Sequence, residues 1–217
     1  MLMTVVLCLA LAACGSGDGE PGDAAPARSS TAPAATASGL GAERFAALDA
    51  VYVAQVPLDE LEDDADPSDF ERASEPLVQA CNALEADDPL LGPLRRLCPV
   101  LTRFTEQLQG FGTCASEGAD ACEALIDDVR ATLGDFTRLS RHGDAAIKRA
   151  ELASACETAL LTPALAYEVI AGYQRAFELL ERGFTEQADR ALTAADAKAK
   201  RLPDGDASLR RFRRGCR

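Results

Sequence analysis

The sequence predicts an all-α fold, either an antiparallel helical bundle or a short array of helical hairpins, with roughly seven to eight helices stabilised by disulfides. Three observations lead to this prediction. Apolar residues recur at helical spacing from about residue 42 to the end of the chain. Alternating β-branched runs, the pattern typical of strands, are absent from the sequence. Six cysteines are spread over the same region.

The apolar spacing divides into separate stretches, each of which forms one face of a 3.6-residue period. These stretches cover residues 45–52, 77–84, 94–111, 122–136, 166–180 and 209–216. Pro99 falls inside the third stretch and should kink that helix, because proline lacks the N–H that an interior position needs.

Residues typical of helix ends lie between these stretches. Ser68 and Glu71 have the spacing of a capping box. Asp88 and Asp206 are placed to cap the helices that follow them, and Pro163 stands at a first helical position. His142-Gly143 is typical of a helix stop, with Asp144 as the next N-cap.

The composition excludes some classes of partner. The chain has 217 residues, 26% of them charged, and a formal net charge of -13 at pH 7. Nucleic-acid binding requires lysine and arginine to neutralise phosphates, so the charge argues against it. The same charge argues against close adsorption to an anionic membrane surface.

The N-terminal apolar run is too short for a membrane span, which needs about 20 residues, and suits the apolar region of a signal peptide. It ends at Leu11-Ala12-Ala13-Cys14. This resembles the lipobox of bacterial lipoproteins, in which an aliphatic and two small residues precede a cysteine. The resemblance implies cleavage between Ala13 and Cys14 and acylation of Cys14, which would anchor the protein in a membrane.

This interpretation divides the chain into three parts. Residues 1–13 are predicted to be a signal peptide, 14–41 a disordered, lipid-anchored tether rich in Gly, Ala, Ser and Pro, and 42–217 one helical domain. The predicted location is the extracytoplasmic cell envelope of a bacterium. In some double-membrane bacteria, lipoproteins that stay in the inner membrane carry Asp directly after the acylated cysteine. This chain has Gly15 there, so the resemblance implies an outer-membrane location in such a cell.

The six remaining cysteines are an even number in an exported domain, which predicts a disulfide framework. Helix geometry favours pairing Cys81 with Cys98, Cys114 with Cys122, and Cys156 with Cys216. Zinc binding and redox catalysis are disfavoured because the sequence has no CxxC pair.

Few residues suit catalysis. His142 is the single histidine, and Ser140, two residues away, would face elsewhere on a helix. His142 is better explained as a cation at a helix C-terminus. The arginines of residues 210–217 are likewise expected to complement a helix C-terminus and to pair internally; the alternatives are an anionic-headgroup patch or docking onto the acidic stretch 59–71.

The acidic stretch 59–71 invites a test for a metal site. Asp64, Asp66 and Glu75 have part of an EF-hand spacing, but Asp69 replaces the required glycine, so the stretch is not an EF-hand. A loose divalent-cation site at these three carboxylates is the alternative to a solvated acidic loop.

Three functions are compatible with the sequence. The favoured one is a non-enzymatic lipoprotein, without cofactor, that binds or scaffolds a protein or envelope component. A small-ligand binder would carry an apolar cavity near Tyr167 or Tyr173. An envelope enzyme using paired carboxylates would carry two facing acids in a cleft.

Overall fold

The computed structural model describes residues 39–61, 67–100, 102–104, 106–107 and 119–217. Every element delimited in these ranges is a helix, which confirms the predicted all-α class. The helices are α1 (Ala42–Asp59), α2 (Pro67–Ala83), α3 (Leu91–Arg95), α4 (Ala119–Arg149), α5 (Ser154–Leu160), α6 (Ala164–Glu181), α7 (Thr185–Ala199) and α8 (Gly205–Cys216). Across these ranges, no helix is long and apolar enough to cross a membrane.

Among the described residues, apolar side chains form two cores. The first, here the Tyr173 core, lies between α4 from Leu125 to Leu139, the α6–α7 hairpin, and the side chains of Leu97, Val100 and Phe104. Tyr173, Val169, Ile170 and Val129 are almost fully buried in it. The turn between α6 and α7 contains Gly183 at φ 77°, a left-handed conformation that glycine adopts without a steric penalty.

The second core, here the Phe212 core, lies between α1, α2, α3, α5, α8 and the end of α4. The Phe212 ring is fully buried between two aromatic rings of α1, with centroids 5.0 Å from Phe45 and 4.7 Å from Tyr52. Offset aromatic contacts of this kind stabilise packing beyond the burial of apolar area. The last helix is therefore held against the first one.

The disulfides include two of the three pairs that the sequence favours. Cys81 bonds to Cys98 with the Cα atoms 5.9 Å apart, and Cys156 bonds to Cys216 with the Cα atoms 4.4 Å apart. Both bonds lie in or against the Phe212 core. Cys122 is disulfide-bonded as well, and Cys114, its predicted partner, lies outside the described residues.

The predicted helix stop at His142–Asp144 is wrong, because α4 runs unbroken through it to Arg149. Gly143 is buried, and a Cβ built on it would lie 3.2 Å from Leu94 Cδ2. The glycine therefore serves close packing against Leu94, not a chain reversal. His142 is exposed in the interior of α4 and is not at a helix C-terminus.

Other helix ends differ by one or a few residues from prediction. The third helix does not continue through Pro99 with a kink: α3 ends at Arg95, and a turn at residues 96–97 separates it from the helical residues 98–100. Pro99, which cannot donate to a preceding turn, lies just after that break. Pro163 is the N-cap of α6 and not its first residue.

The caps of α8 and α2 also differ. Asp204, not Asp206, caps α8, because its carboxylate accepts the Ala207 N–H at 2.6 Å. Asp206 instead lies in the first turn and pairs with Arg210 at 3.2 Å. Ser68 lies inside α2, which begins at Pro67, so it does not take the cap position of the predicted box. The N-cap of α3 is Leu90, not Asp88, although Asp88 accepts the N–H groups of Leu90 and Leu91 at 2.8 and 2.9 Å.

Candidate functional site

An open cleft of about 720 Å³ lies where the described chain begins. The start of α1 forms one wall, and the end of α2 with the loop before α3 forms the other. Its lining combines apolar groups with charged ones: Leu40, Ala47, Leu91, Glu43, Glu85 and the Arg44–Asp88 pair. Its volume lies within the range of about 300–1,000 Å³ that is typical of small-ligand pockets.

Asp88 is fixed at the edge of this cleft by three groups. Its Oδ2 accepts from Arg44 Nε at 2.8 Å, and its Oδ1 accepts the two backbone N–H groups that start α3. Burial opposes ionisation, but the Leu91 N–H, the Arg44 guanidinium and the Leu90 N–H outweigh it and hold the pKa of Asp88 below 3.8. Asp88 is therefore an anion at neutral pH and a poor proton donor.

Glu43 and Glu85 are the other carboxylates of the cleft, and both are exposed. Leu40 and Leu91 beside them are buried, with 2% and 4% of their surface accessible. Carboxylates next to an apolar floor suit a ligand or peptide segment that carries a cation or N–H donors together with apolar groups.

Tyr167 and Tyr173, near which a small-ligand binder would carry an apolar cavity, use their hydroxyls within the domain. Tyr173 donates to Asp196 Oδ1 at 2.6 Å, and Tyr167 donates to Asp144 Oδ2 at 2.8 Å. Burial, and then the neighbouring carboxylate, raises the pKa of each phenol well above 10. These tyrosines hold helices together and stay protonated.

Most of the other residues that the sequence singles out lie apart from the cleft or outside the described residues. Ala13, Cys14, Asp64 and Asp66 are in the latter group. Glu75 is exposed on α2 and accepts from Gln79 Nε2 at 3.1 Å. In the part of the chain that is described, no three His, Cys, Asp or Glu side chains gather in a group that could hold a metal.

Ser140 and His142 do not form a catalytic pair. The Ser140 hydroxyl is buried and has no hydrogen-bond partner among the described residues, whereas His142 is exposed on α4. Their opposite burial follows from a separation of two residues on one helix.

Two of the C-terminal arginines, Arg210 and Arg213, pair internally, as the sequence predicts, and the acceptor of Arg213 is one that the sequence does not indicate. Arg213 makes two bonds to Asp49 of α1, Nε to Oδ1 at 2.5 Å and Nη2 to Oδ2 at 2.8 Å. Asp49 is ten residues before the start of the acidic stretch 59–71. The hydrogen bond from Arg213 lowers the pKa of Asp49 below 3.8 against the effect of burial.

Sequence reasoning missed the cleft because its ion pair joins distant parts of the chain: Arg44 and Asp88 are 44 residues apart. The Asp49–Arg213 pair, which does not line the cleft, spans 164 residues and was missed for the same reason. The local pattern indicates Asp88 as a helix cap, and nothing in it indicates the arginine that Asp88 binds. Comparison of this chain with protein-family models, with curated proteins and with solved structures gives no match.

Proposed function

We propose that this protein is a lipid-anchored, extracytoplasmic helical lipoprotein that binds a protein or another component of the bacterial envelope and is not an enzyme. The lipobox-like Leu11-Ala12-Ala13-Cys14 and the Gly/Ala/Pro-rich residues that follow support the anchor and the tether. Two disulfides in the helical domain support an oxidising compartment, since cytosolic proteins keep their thiols reduced.

The observation that carries the binding role is the position of the cleft. Leu40, Gly41 and Ala42, which line it, are the residues through which the predicted tether would join the domain. Its best-fixed carboxylate, Asp88, is held as an anion by Arg44 and two N–H groups, which suits recognition of a partner more than proton transfer.

Membrane fractionation tests the anchor. Replacing Cys14 with Ala should move the protein from the membrane fraction to the soluble extracytoplasmic fraction, because the thiol that would carry the lipid is lost. The matched control is Cys8→Ala, which lies inside the predicted signal peptide and should leave the protein with the membrane. Retention of the Cys14→Ala protein in the membrane fraction after a wash with about 0.5 M salt would refute the anchor.

Crosslinking in cells tests the binding role. A photo-crosslinking amino acid at Ala47, in the cleft, should capture one specific envelope component, and the same group at exposed Asp189 of α7 should not. Glu85→Gln should weaken the capture at Ala47 if cleft carboxylates take part. Equal capture from both positions would argue against the cleft as the binding surface.

The volume of the cleft favours a second candidate, a small cationic ligand. A ligand that binds only the folded state raises its melting temperature with concentration. Spermidine and arginine are suitable probes, and Glu43→Gln/Glu85→Gln should remove the shift. A shift that survives this double replacement would place the ligand elsewhere.

A further inference from the structure

We propose that the outward faces of α8 and α1 form one surface that docks onto an anionic phospholipid bilayer, with α8 supplying positive charge and α1 a mostly apolar face. The proposal deepens the proposed function and rests on its lipid anchor, which would hold this surface near a membrane. It names the side of the domain that faces the bilayer.

The charge of the chain is segregated. Residues 59–71 hold eight carboxylates and no basic residue, whereas residues 205–217 hold five arginines and one aspartate. The C-terminal end of the domain is therefore positively charged, although the net charge of the chain is -13. Each arginine near an anionic bilayer adds attraction, and that attraction falls off within a Debye length of about 8 Å, so local charge decides docking.

Three of these arginines share the outward face of α8. Arg210, Arg214 and Arg217 follow one another at steps of four and three residues, and all three are exposed. They lie opposite the buried Leu209, Phe212 and Cys216. Arg210 makes an exposed pair with Asp206 at 3.2 Å, and the Arg217 guanidinium lies 6.0 Å from the Phe45 ring centroid of α1.

The neighbouring face of α1 is mostly apolar. Its exposed positions within the helix are Ala42, Ala46, Ala50, Val53 and Pro57, and Val53 is 44% exposed. Its charged groups are the exposed Glu43 at one side, the exposed Glu60 at its C-terminal end, and Asp49, which is paired with Arg213. A polar outward face is the norm for a surface helix of a globular domain. Basic side chains beside exposed apolar ones are the pattern of segments that lie on membrane interfaces.

The Asp49–Arg213 pair joins the two faces into one surface. It is partly exposed, with 23% of the Asp49 and 39% of the Arg213 side chain accessible. Since each helical residue turns by about 100°, Ala46 and Val53 flank Asp49 on α1, as Arg210 and Arg217 flank Arg213 on α8. The apolar face begins at Ala42, directly after the predicted tether, so a short linker suffices for the docked state.

Vesicle flotation tests the surface. The full chain with Cys14→Ala, exported and purified with its disulfides, should float with vesicles of equimolar phosphatidylglycerol and phosphatidylcholine at low salt. It should not float with phosphatidylcholine alone, and about 0.5 M salt should release it. Arg210→Gln/Arg214→Gln/Arg217→Gln should lower the partition coefficient by about tenfold or more.

A control with the same change in net charge separates this face from general electrostatics. Arg175→Gln/Arg182→Gln/Arg190→Gln alters exposed arginines of the α6–α7 hairpin and should bind like the parent. Helical circular dichroism and non-reducing gel mobility check that both triple variants are folded. Arg213 is left intact because it holds α8 to α1.

The outcomes separate the two proposals. Absence of flotation with anionic vesicles, or equal loss in both triple variants, overturns the docking surface. Self-association that only the α8 triple abolishes would also overturn it, in favour of a second copy of the chain. The anchor fails independently, if Cys14→Ala leaves the protein in the membrane fraction of cells even when the α8 arginines are also replaced.

Discussion

Gly215 and Gly134 show that two helical glycines can have opposite roles. A Cβ at Gly215 would lie 2.6 Å from the Ala155 carbonyl oxygen, so the absence of a side chain lets α8 approach α5 closely. Nothing lies within 4 Å of a Cβ at Gly134 of α4. There the glycine only adds backbone freedom to the unfolded chain and weakens the helix.

Alanine at these two positions should therefore change stability in opposite directions. We expect Gly215→Ala to lower the free energy of unfolding by about 1–3 kcal/mol through overpacking. Gly134→Ala should raise it by about 0.5–1 kcal/mol through helix propensity. Urea denaturation of both variants measures this; stabilisation by Gly215→Ala would show that α8 and α5 can separate at little cost.

Asp49 should make stability depend on pH in the acid range. Its pKa lies below 3.8 when folded because of the bond from Arg213, so the unfolded carboxyl takes up its proton at higher pH than the folded one. The contribution of the pair is thus complete above about pH 5 and is lost as the pH falls through the folded pKa. Asp49→Asn should lower the melting temperature at pH 7 and lower it less at about pH 3, where part of the folded carboxyl is protonated.

The exposed Arg175–Glu178 pair, 3.5 Å apart, is the matched control for this measurement. Exposed ion pairs contribute little to stability, so Glu178→Gln should leave the melting temperature nearly unchanged at both pH values. If Asp49→Asn behaved in the same way, the bond between α1 and α8 would contribute nothing measurable.

At the scale of elements, local sequence predicts the buried faces of the helices better than it predicts where the helices end. Apolar periodicity predicts the faces of α1, α6 and α8, because burial of one face is what makes each helix stable. The boundaries are less predictable. His142-Gly143 has the local pattern of a helix stop, but α4 continues through it. The glycine leaves room for the side chain of Leu94, which is 49 residues earlier in the sequence.

Asp144 is the clearest case of a residue whose role is set by another element. The sequence indicates it as an N-cap, but its carboxylate accepts the Thr162 N–H at 2.9 Å and the Tyr167 hydroxyl at 2.8 Å. It thus fixes the start of α6 from the C-terminal part of α4. The cleft is equally hidden, because Arg44 and Asp88 meet only once α1 and α3 have packed.

Replacing Asp144 tests this link between elements. Asp144→Ala removes both bonds and leaves a backbone N–H unpaired, which should lower the free energy of unfolding by about 1–3 kcal/mol. Tyr167→Phe removes the hydroxyl bond and keeps the amide bond, so its loss should be smaller. Chemical denaturation compares the two; equal losses would show that the bond to Thr162 is unimportant.

Across the described residues the domain has two cores. Cys81–Cys98 and Cys156–Cys216 both lie in or against the Phe212 core, with sequence separations of 17 and 60 residues. The Tyr173 core is held by packing and by bonds such as that from Tyr173 to Asp196, and the disulfide-bonded Cys122 lies on α4, which contributes to this core. α4 contributes to both cores.

Removing one disulfide should therefore loosen one part of the molecule first. Cys156→Ala/Cys216→Ala should cost about 4 kcal/mol, and Cys81→Ala/Cys98→Ala about 3 kcal/mol, by loss of loop constraint in the unfolded chain. Hydrogen exchange should rise in α8 and α1 more than in α6 when Cys156 and Cys216 are replaced. A uniform rise across the domain would mean that both cores open as one unit.

The contact of α8 with α1 also brings the first and last helices of the described domain together. Phe45 follows Leu40 by five residues, and its ring lies 6.0 Å from the Arg217 guanidinium, so the two ends of the domain are neighbours. A circular permutant that joins these ends with a short linker and opens at the exposed Gly183–Phe184 turn should keep both cores. It would present the same arginine face while the anchor was moved to the opposite end.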